Sequence, residues 1–171
     1  MIIAKATVDD IPALVPLINS AYRGEASKKG WTTEAHLLKG TLRTDIPSIT
    51  ELIQQPGAAF FTCLSSGGII SGCVFLQKQE RGLYLGMLTV SPDLQAAGIG
   101  KQLLAFADQY AIELGCAAIF MSVISLRTEL IAWYERHGYH ITDERKPFPV
   151  DDRFGVPVQP LEFVIMEKII V

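Results

Sequence analysis

An apolar strand that runs through a turn into a glycine-rich helix start constrains this chain more than any other feature. The stretch is Leu88-Thr-Val-Ser-Pro-Asp-Leu-Gln-Ala-Ala-Gly-Ile-Gly-Lys-Gln-Leu-Leu104. Gly98 and Gly100 carry no Cβ, so a phosphate oxygen can come close to the backbone. The first-turn N–H groups of a helix have no acceptor in the helix itself and point toward such an anion. Lys101 adds a positive charge beside them. The junction therefore reads as a phosphate-holding loop.

Spacing decides which phosphate ligand. A Walker A loop needs glycine at position 95 and serine or threonine at 102, where this chain has Gln95 and Gln102. A dinucleotide fingerprint beginning at Gly98 would need its third glycine where Leu103 stands. What remains is Gln95-x-x-Gly98-x-Gly100 preceded by Val90-x-Pro92, which resembles motif A of the GNAT superfamily of N-acetyltransferases. About thirty residues on, Arg127-Thr-Glu-Leu-Ile-Ala-Trp-Tyr-Glu-Arg-His-Gly-Tyr139 resembles that superfamily's motif B, with Ala132, Tyr134, Gly138 and Tyr139 in its characteristic places.

The resemblance implies a mixed α/β fold: a central, twisted, mostly antiparallel sheet of about six to seven strands with helices on both faces. It implies acetyl-coenzyme A as donor, its diphosphate on Gln95, Ala96, Ala97, Gly98, Ile99, Gly100 and Lys101, and its pantetheine arm on the backbone of Leu88, Thr89 and Val90. A backbone N–H near Leu88 would hold the developing oxyanion, and Gly86 is where a bulge would help part the strands. By the same resemblance Tyr134 is the acid that protonates the departing thiolate, whereas periodicity alone would make it a core residue. Two positions depart from the pattern. Arg127 stands where asparagine often touches the cofactor arm, and is read either as a cofactor contact or as the partner of a surface carboxylate. Ser122 precedes Val123 where many relatives carry a glutamate base, so the base is left open among a water relay, Glu25, Glu34 and Asp152.

Acceptor specificity in this fold comes from the first helix region and the last loop. Tyr22, Arg23, Glu25, Trp31 and Glu34 early in the chain, and Phe148, Asp151, Asp152 and Phe154 late in it, are candidates to form a pocket for a small cationic or polar amine. The alternative is that Trp31 and Phe148 anchor their loops to the core. The expected activity is acetyl transfer to a primary amine of a small molecule. Two other readings stay open: a protein acceptor, at a lysine or N-terminal amine, and a non-catalytic acyl-coenzyme A sensor.

Composition narrows the classes further. With 171 residues, 49% of them hydrophobic, one domain over residues 1–171 with a sizeable core is expected. A net charge of −3 argues against nucleic-acid binding. The most apolar run, from Leu114 to Ile124, is shorter than the ~18 residues of a membrane span, and the first residues do not read as a signal peptide, so a cytoplasmic location without membrane attachment is expected. Cys63, Cys73 and Cys116 read as small buried hydrophobes, and the scattered His36, His137 and His140 give no metal-ligand spacing, so no metal is expected.

Along the chain, strands are expected at 2–7, 58–64, 69–77, 82–90, 117–124, 139–143 and 161–168. Helices are expected from about Asp9 to Tyr22, kinked or shortened by Pro16, from Ser48 to Gln55 by a Ser48-x-x-Glu51 capping box, at 98–114 and at 126–137. A turn capped by Thr32 or Thr33 is expected through His36, and a proline-rich loop over 146–160. An exposed final strand would offer an edge for a homodimer.

Overall fold

Alternation along the strands sorts the core into two layers. A computed structural model describes residues 1–95 and 97–170. The sheet is built from β1 (Ile2–Lys5), β3 (Ala58–Leu64), β4 (Ile70–Gln79), β5 (Gly82–Val90), β6 (Ala118–Ile124), β7 (His140–Pro147) and β9 (Glu162–Ile169). Successive side chains of a strand point to opposite faces. Phe60, Cys73 and Phe75 accordingly pack with Ile11, Leu14 and Ile18 of helix α1 (Ile11–Tyr22) and Ile49 of α3 (Ile46–Ile53). Phe61, Cys63, Val74 and Leu76 turn the other way, onto Leu103, Leu104 and Ala107 of α4 (Ile99–Glu113) and Ile131 of α5 (Thr128–Arg136).

The strand order is β1-β3-β4-β5-β6-β9-β7, antiparallel except for the β5–β6 pair. That pair is short: only Leu83 with Ile119 and Tyr84 with Phe120 are in register before the two strands part. On the other side of β5, the step from Cys73 to Phe75 on β4 faces the step from Thr89 to Gly86 on β5, so β5 carries one extra residue there. This is the bulge expected beside Gly86, and its strained residue is Met87, with φ +48. A left-handed conformation costs a residue with a side chain about 1–2 kcal/mol, so the surrounding packing has to hold it.

Several expectations need correction. Helix α1 is not shortened by Pro16 and runs on past it to Tyr22. A proline inside a helix costs roughly 3 kcal/mol, but burying Ile11, Leu14 and Ile18 returns about 1.5–3 kcal/mol each. Helix α3 starts at Ile46, not Ser48, because Asp45 is the cap and accepts a 2.8 Å bond from the Ser48 N–H. The final strand is no edge: β9 lies between β6 and β7, so the basis for expecting a dimer there is gone. The proline-rich loop contains β8 (Val156–Pro157), which pairs with β2 (Leu38–Lys39), a two-stranded ladder that ties the late loop to the segment after α2 (Gly24–Ser27). Among the described residues no helix is long and apolar enough to cross a membrane, and no cluster of metal-ligating side chains occurs.

Gly82 opens β5 where it meets β6. Its φ is +147, and a Cβ there would collide with the Ala118 carbonyl. Gly82→Ala is expected to destabilise the protein by about 1–3 kcal/mol, read as a lower urea midpoint with unchanged slope; an unshifted midpoint would show that the β5–β6 contact tolerates a wider separation.

Candidate active site

The bulge and the parting of β5 from β6 leave an opening in the middle of the sheet, and the glycine-rich loop stands at one end of it. Gly98 caps α4 with φ +81, a conformation that favours glycine, and a Cβ there would meet nothing within 4 Å. No side chain caps this helix. The Gln102 N–H bonds the Gly98 carbonyl at 3.1 Å, so the amides of Ile99, Gly100 and Lys101 come before the first intrahelical bond and lack a partner within the helix. Gly100 also sets the helix packing, because a Cβ on it would lie 3.3 Å from the Trp133 ring and its absence lets α5 come close. The Ala97 amide is already used, bonded to the Leu94 carbonyl at 3.3 Å. Ala96 lies outside the described residues.

A cavity of roughly 230 Å³ begins at Gly98–Lys101 and is walled by Val90, Leu88, Trp31, Trp133 and Tyr134. Ile99 is a core residue with its backbone at the wall. Thr89 is buried and its hydroxyl bonds the Met87 carbonyl at 2.9 Å, which braces the bulge. Gln95 is a brace too: its Oε1 accepts from the Trp31 amide at 2.7 Å, and its Nε2 donates to the Thr32 hydroxyl at 2.8 Å and the Val90 carbonyl at 3.2 Å. Trp31, 40% exposed, tilts against Trp133 with centroids 5.6 Å apart. It lines this cavity and not the one that holds Phe148 and Phe154.

Tyr22, Leu88, Leu130 and Tyr134 wall this cavity and also a small one of roughly 70 Å³, so Tyr134 stands between the two. Burial pushes the Tyr134 hydroxyl well above its ordinary pKa of 10.0, with neighbouring Tyr22 adding to the rise. The hydroxyl has no hydrogen-bond partner among the described residues. Tyr22 donates to the Leu88 carbonyl, and burial pushes its own pKa up to about 12 against the opposing pull of Arg43 and Arg127. That bond fixes the peptide at the bulge. Ser122, Glu34, Arg43 and Met87 then line both the small cavity and a third of roughly 470 Å³, roofed by Phe148, Asp151 and Phe154.

Arg127 pairs with a carboxylate, as the second of its two expected readings had it, but a buried one and not one at the surface. Its side chain is 7% exposed; Nη1 lies 3.3 Å from Glu34 Oε2, and Nη2 donates to the Thr32 carbonyl at 2.7 Å. Glu34 Oε1 in turn accepts from Arg23 at 3.2 Å, and Arg23 also donates to the Leu42 carbonyl at 3.0 Å and to that of Phe154. This Arg23–Glu34–Arg127 chain joins α1, the 30s loop, α5 and the late loop beside the largest of these three cavities. Glu25 does not join it: it stands in solvent, paired with Lys28 at 2.7 Å. Asp152 is likewise exposed. Arg43 and Met87 went unread in the sequence, because an isolated loop arginine and a methionine within a strand carry no local signal.

The fold and this cleft define an acyltransferase of the N-acetyltransferase class. Residues 18–139 match the model of the Acetyltransferase (GNAT) family, and the chain belongs to that family. It is similar to the uncharacterized N-acetyltransferase YjgM of Escherichia coli (strain K12), 26% identical over 150 residues that make up 83% of each chain. In fold it resembles the ribosomal-protein-S18-alanine N-acetyltransferase of Escherichia coli, with a TM-score of 0.72 and 18% identity over 99% of this chain and 93% of that one. A Bacillus anthracis str. Ames protein solved in complex with acetyl coenzyme A shares the fold with a TM-score of 0.58 and 22% identity, covering 70% of this chain and 66% of the other.

Removing one partner from a buried ion pair strands the others without compensation and costs about 3–5 kcal/mol. Glu34→Ala, which strands two guanidinium groups, is expected to lower urea stability by that amount. A loss below about 1 kcal/mol, the range of surface pairs, would show that water reaches the network.

Proposed function

We propose that this chain transfers an acetyl group from acetyl-coenzyme A directly to the primary amine of a small molecule. The observation that carries the reading is a series of cavities with shared walls: the first runs from a helix start with unsatisfied amides to Tyr134, a small one shares Tyr22, Leu88 and Tyr134 with it, and the roofed one shares Glu34, Arg43, Met87 and Ser122 with the small one. Ile99, Gly100 and Lys101 would hold the diphosphate through main-chain N–H groups, with the positive end of α4 and the Lys101 side chain adding charge. Leu88 and Val90, in the opening where β6 has turned away, would bond the pantetheine arm.

The acceptor nitrogen forms its bond to the thioester carbon while the carbon–sulfur bond breaks, giving the amide and free coenzyme A. A main-chain N–H at Leu88, set by the Met87 bulge and the Tyr22 bond, would hold the oxyanion, for which one donor is worth roughly 3 kcal/mol. Tyr134 gives its proton to the leaving sulfur and takes one back from solvent. The oxygens of Glu34 are engaged by Arg23 and Arg127, and the Ser122 hydroxyl is too weak a base, so the amine's proton leaves through water. A roof formed by Phe148, Asp151 and Phe154 favours a small acceptor over a protein tail.

Tyr134→Phe is expected to lower kcat about ten-fold or more with the KM for acetyl-coenzyme A little changed; full turnover in that variant would take Tyr134 out of the mechanism. Because the acid must be protonated and its pKa is raised above 10.0, kcat is expected to show no loss from Tyr134 as pH rises to that value. An alkaline limb well below it, abolished in Tyr134→Phe, would contradict the assignment.

A further inference from the structure

Arg43 is the cation to which the transfer scheme gives no role. Its backbone is fixed, since Asn19 Oδ1 accepts from the Arg43 amide at 2.6 Å and from the Thr44 amide at 3.0 Å. Its guanidinium carbon lies 5.5 Å from the centre of the Tyr22 ring, and the side chain lines both the roofed cavity and the small one shared with Tyr134. The other charges of these walls are matched. Glu34 is taken by Arg23 and Arg127, and Asp151 by Arg153 at 2.7 Å. Among the described residues Arg43 makes no ion pair and no side-chain hydrogen bond.

An unpaired guanidinium at a half-buried wall favours an arriving carboxylate, which it can bind through two parallel hydrogen bonds. The same charge disfavours an acceptor that brings only cationic groups. Most of the remaining wall is apolar: Leu52, Phe75, Met87, Ile124, Phe148 and Phe163. The carboxylate site must also lie close to the reacting centre. Arg43 stands over Tyr22, whose hydroxyl bonds the Leu88 carbonyl, and it shares the small cavity with Leu88 and Tyr134. An acceptor that carries its carboxylate close to its amine places both groups against these shared walls.

We propose that the acceptor is a free α-amino acid with an apolar side chain, its carboxylate on Arg43, its side chain in the roofed cavity and its amine directed at Leu88 and Tyr134. This departs from the expectation of a cationic or polar amine, and it rests on the acetyl-transfer reading. The transfer itself is unchanged: the α-nitrogen gains the acetyl group and loses one proton to water, and coenzyme A leaves as the thiol.

The test measures thiol release from acetyl-coenzyme A with L-phenylalanine, L-leucine and L-methionine, and with the amide of each. The amides hold more unprotonated amine at neutral pH, so a preference for the acids cannot come from amine basicity. The acids are expected to exceed the amides in kcat/KM by about ten- to a hundred-fold, the range of a hydrogen bond to a charged group. Arg43→Gln is expected to remove that preference by raising KM for the acids, and Arg43→Lys to restore part of it. Equal use of acids and amides, use of peptide N-terminal amines in preference to the acids, or an unchanged preference in Arg43→Gln would overturn the proposal. Calorimetric titration with N-acetyl-L-phenylalanine needs no turnover: heat is expected with the unaltered protein and its loss in Arg43→Gln, and no heat with the unaltered protein would overturn the amino-acid assignment. A parallel titration with acetyl-coenzyme A reports on the transfer reading alone, so the two can fail separately.

Discussion

The early parting of β5 from β6 is the constraint on which the rest of the cleft depends. Two strands of one sheet normally pair along their length, because unpaired backbone groups buried from water are costly. Here the parallel pairing stops after Tyr84 and Phe120. The extra residue on β5 bends that strand away, Met87 absorbs the strain, and the Tyr22 hydroxyl and the Thr89 hydroxyl take up the carbonyls of Leu88 and Met87. What would be a sheet interior becomes a slot lined by main chain. The slot joins the glycine-rich helix start to the phenol of Tyr134.

A second layer of organisation holds the loops around that slot. Gln95 locks the glycine-rich loop to Trp31 and Thr32, and Arg127 reaches the Thr32 carbonyl from α5. Arg23 continues the chain from Glu34 to the loops around Leu42 and Phe154. Gly30 lets this happen, since a Cβ on it would run into the Gln95 side chain. The buried charges between these cavities, Arg23, Glu34 and Arg127, therefore pair with one another, while half-buried Arg43 makes no ion pair among the described residues. That exception is the basis of the acceptor preference proposed above.

The sequence exposed the parts of this arrangement that local patterning encodes. Apolar runs set off by Pro56-Gly57, the turn at Ser65–Gly68 and Gly82 located β3 and β5 at their observed ends, and glycine spacing located the start of α4 to within a residue. The helix with Tyr134 was legible from its apolar repeat and its stop at Gly138. Features made by distant contacts were not. The β2–β8 ladder joins Leu38–Lys39 to Val156–Pro157 across most of the chain, with two residues on each side and no alternation to see. Arg127 and Glu34 meet only once α5 and the 30s loop are packed, so their burial had no sequence signal. Asp45 won the cap of α3 over Ser48 because it sits one turn earlier, with Pro47 following in the first turn, where a missing N–H does no harm.

The central claim is that donor binding uses main chain, with free amides at the start of α4 at one end and the opened edge of β5 at the other. A crystal structure of the protein with acetyl-coenzyme A bound tests it most directly. The account predicts diphosphate oxygens within hydrogen-bonding distance of the amides of Ile99, Gly100 and Lys101, and a thioester carbonyl facing the Leu88 amide between β5 and β6. A diphosphate seated elsewhere, or a thioester outside that opening, would contradict it.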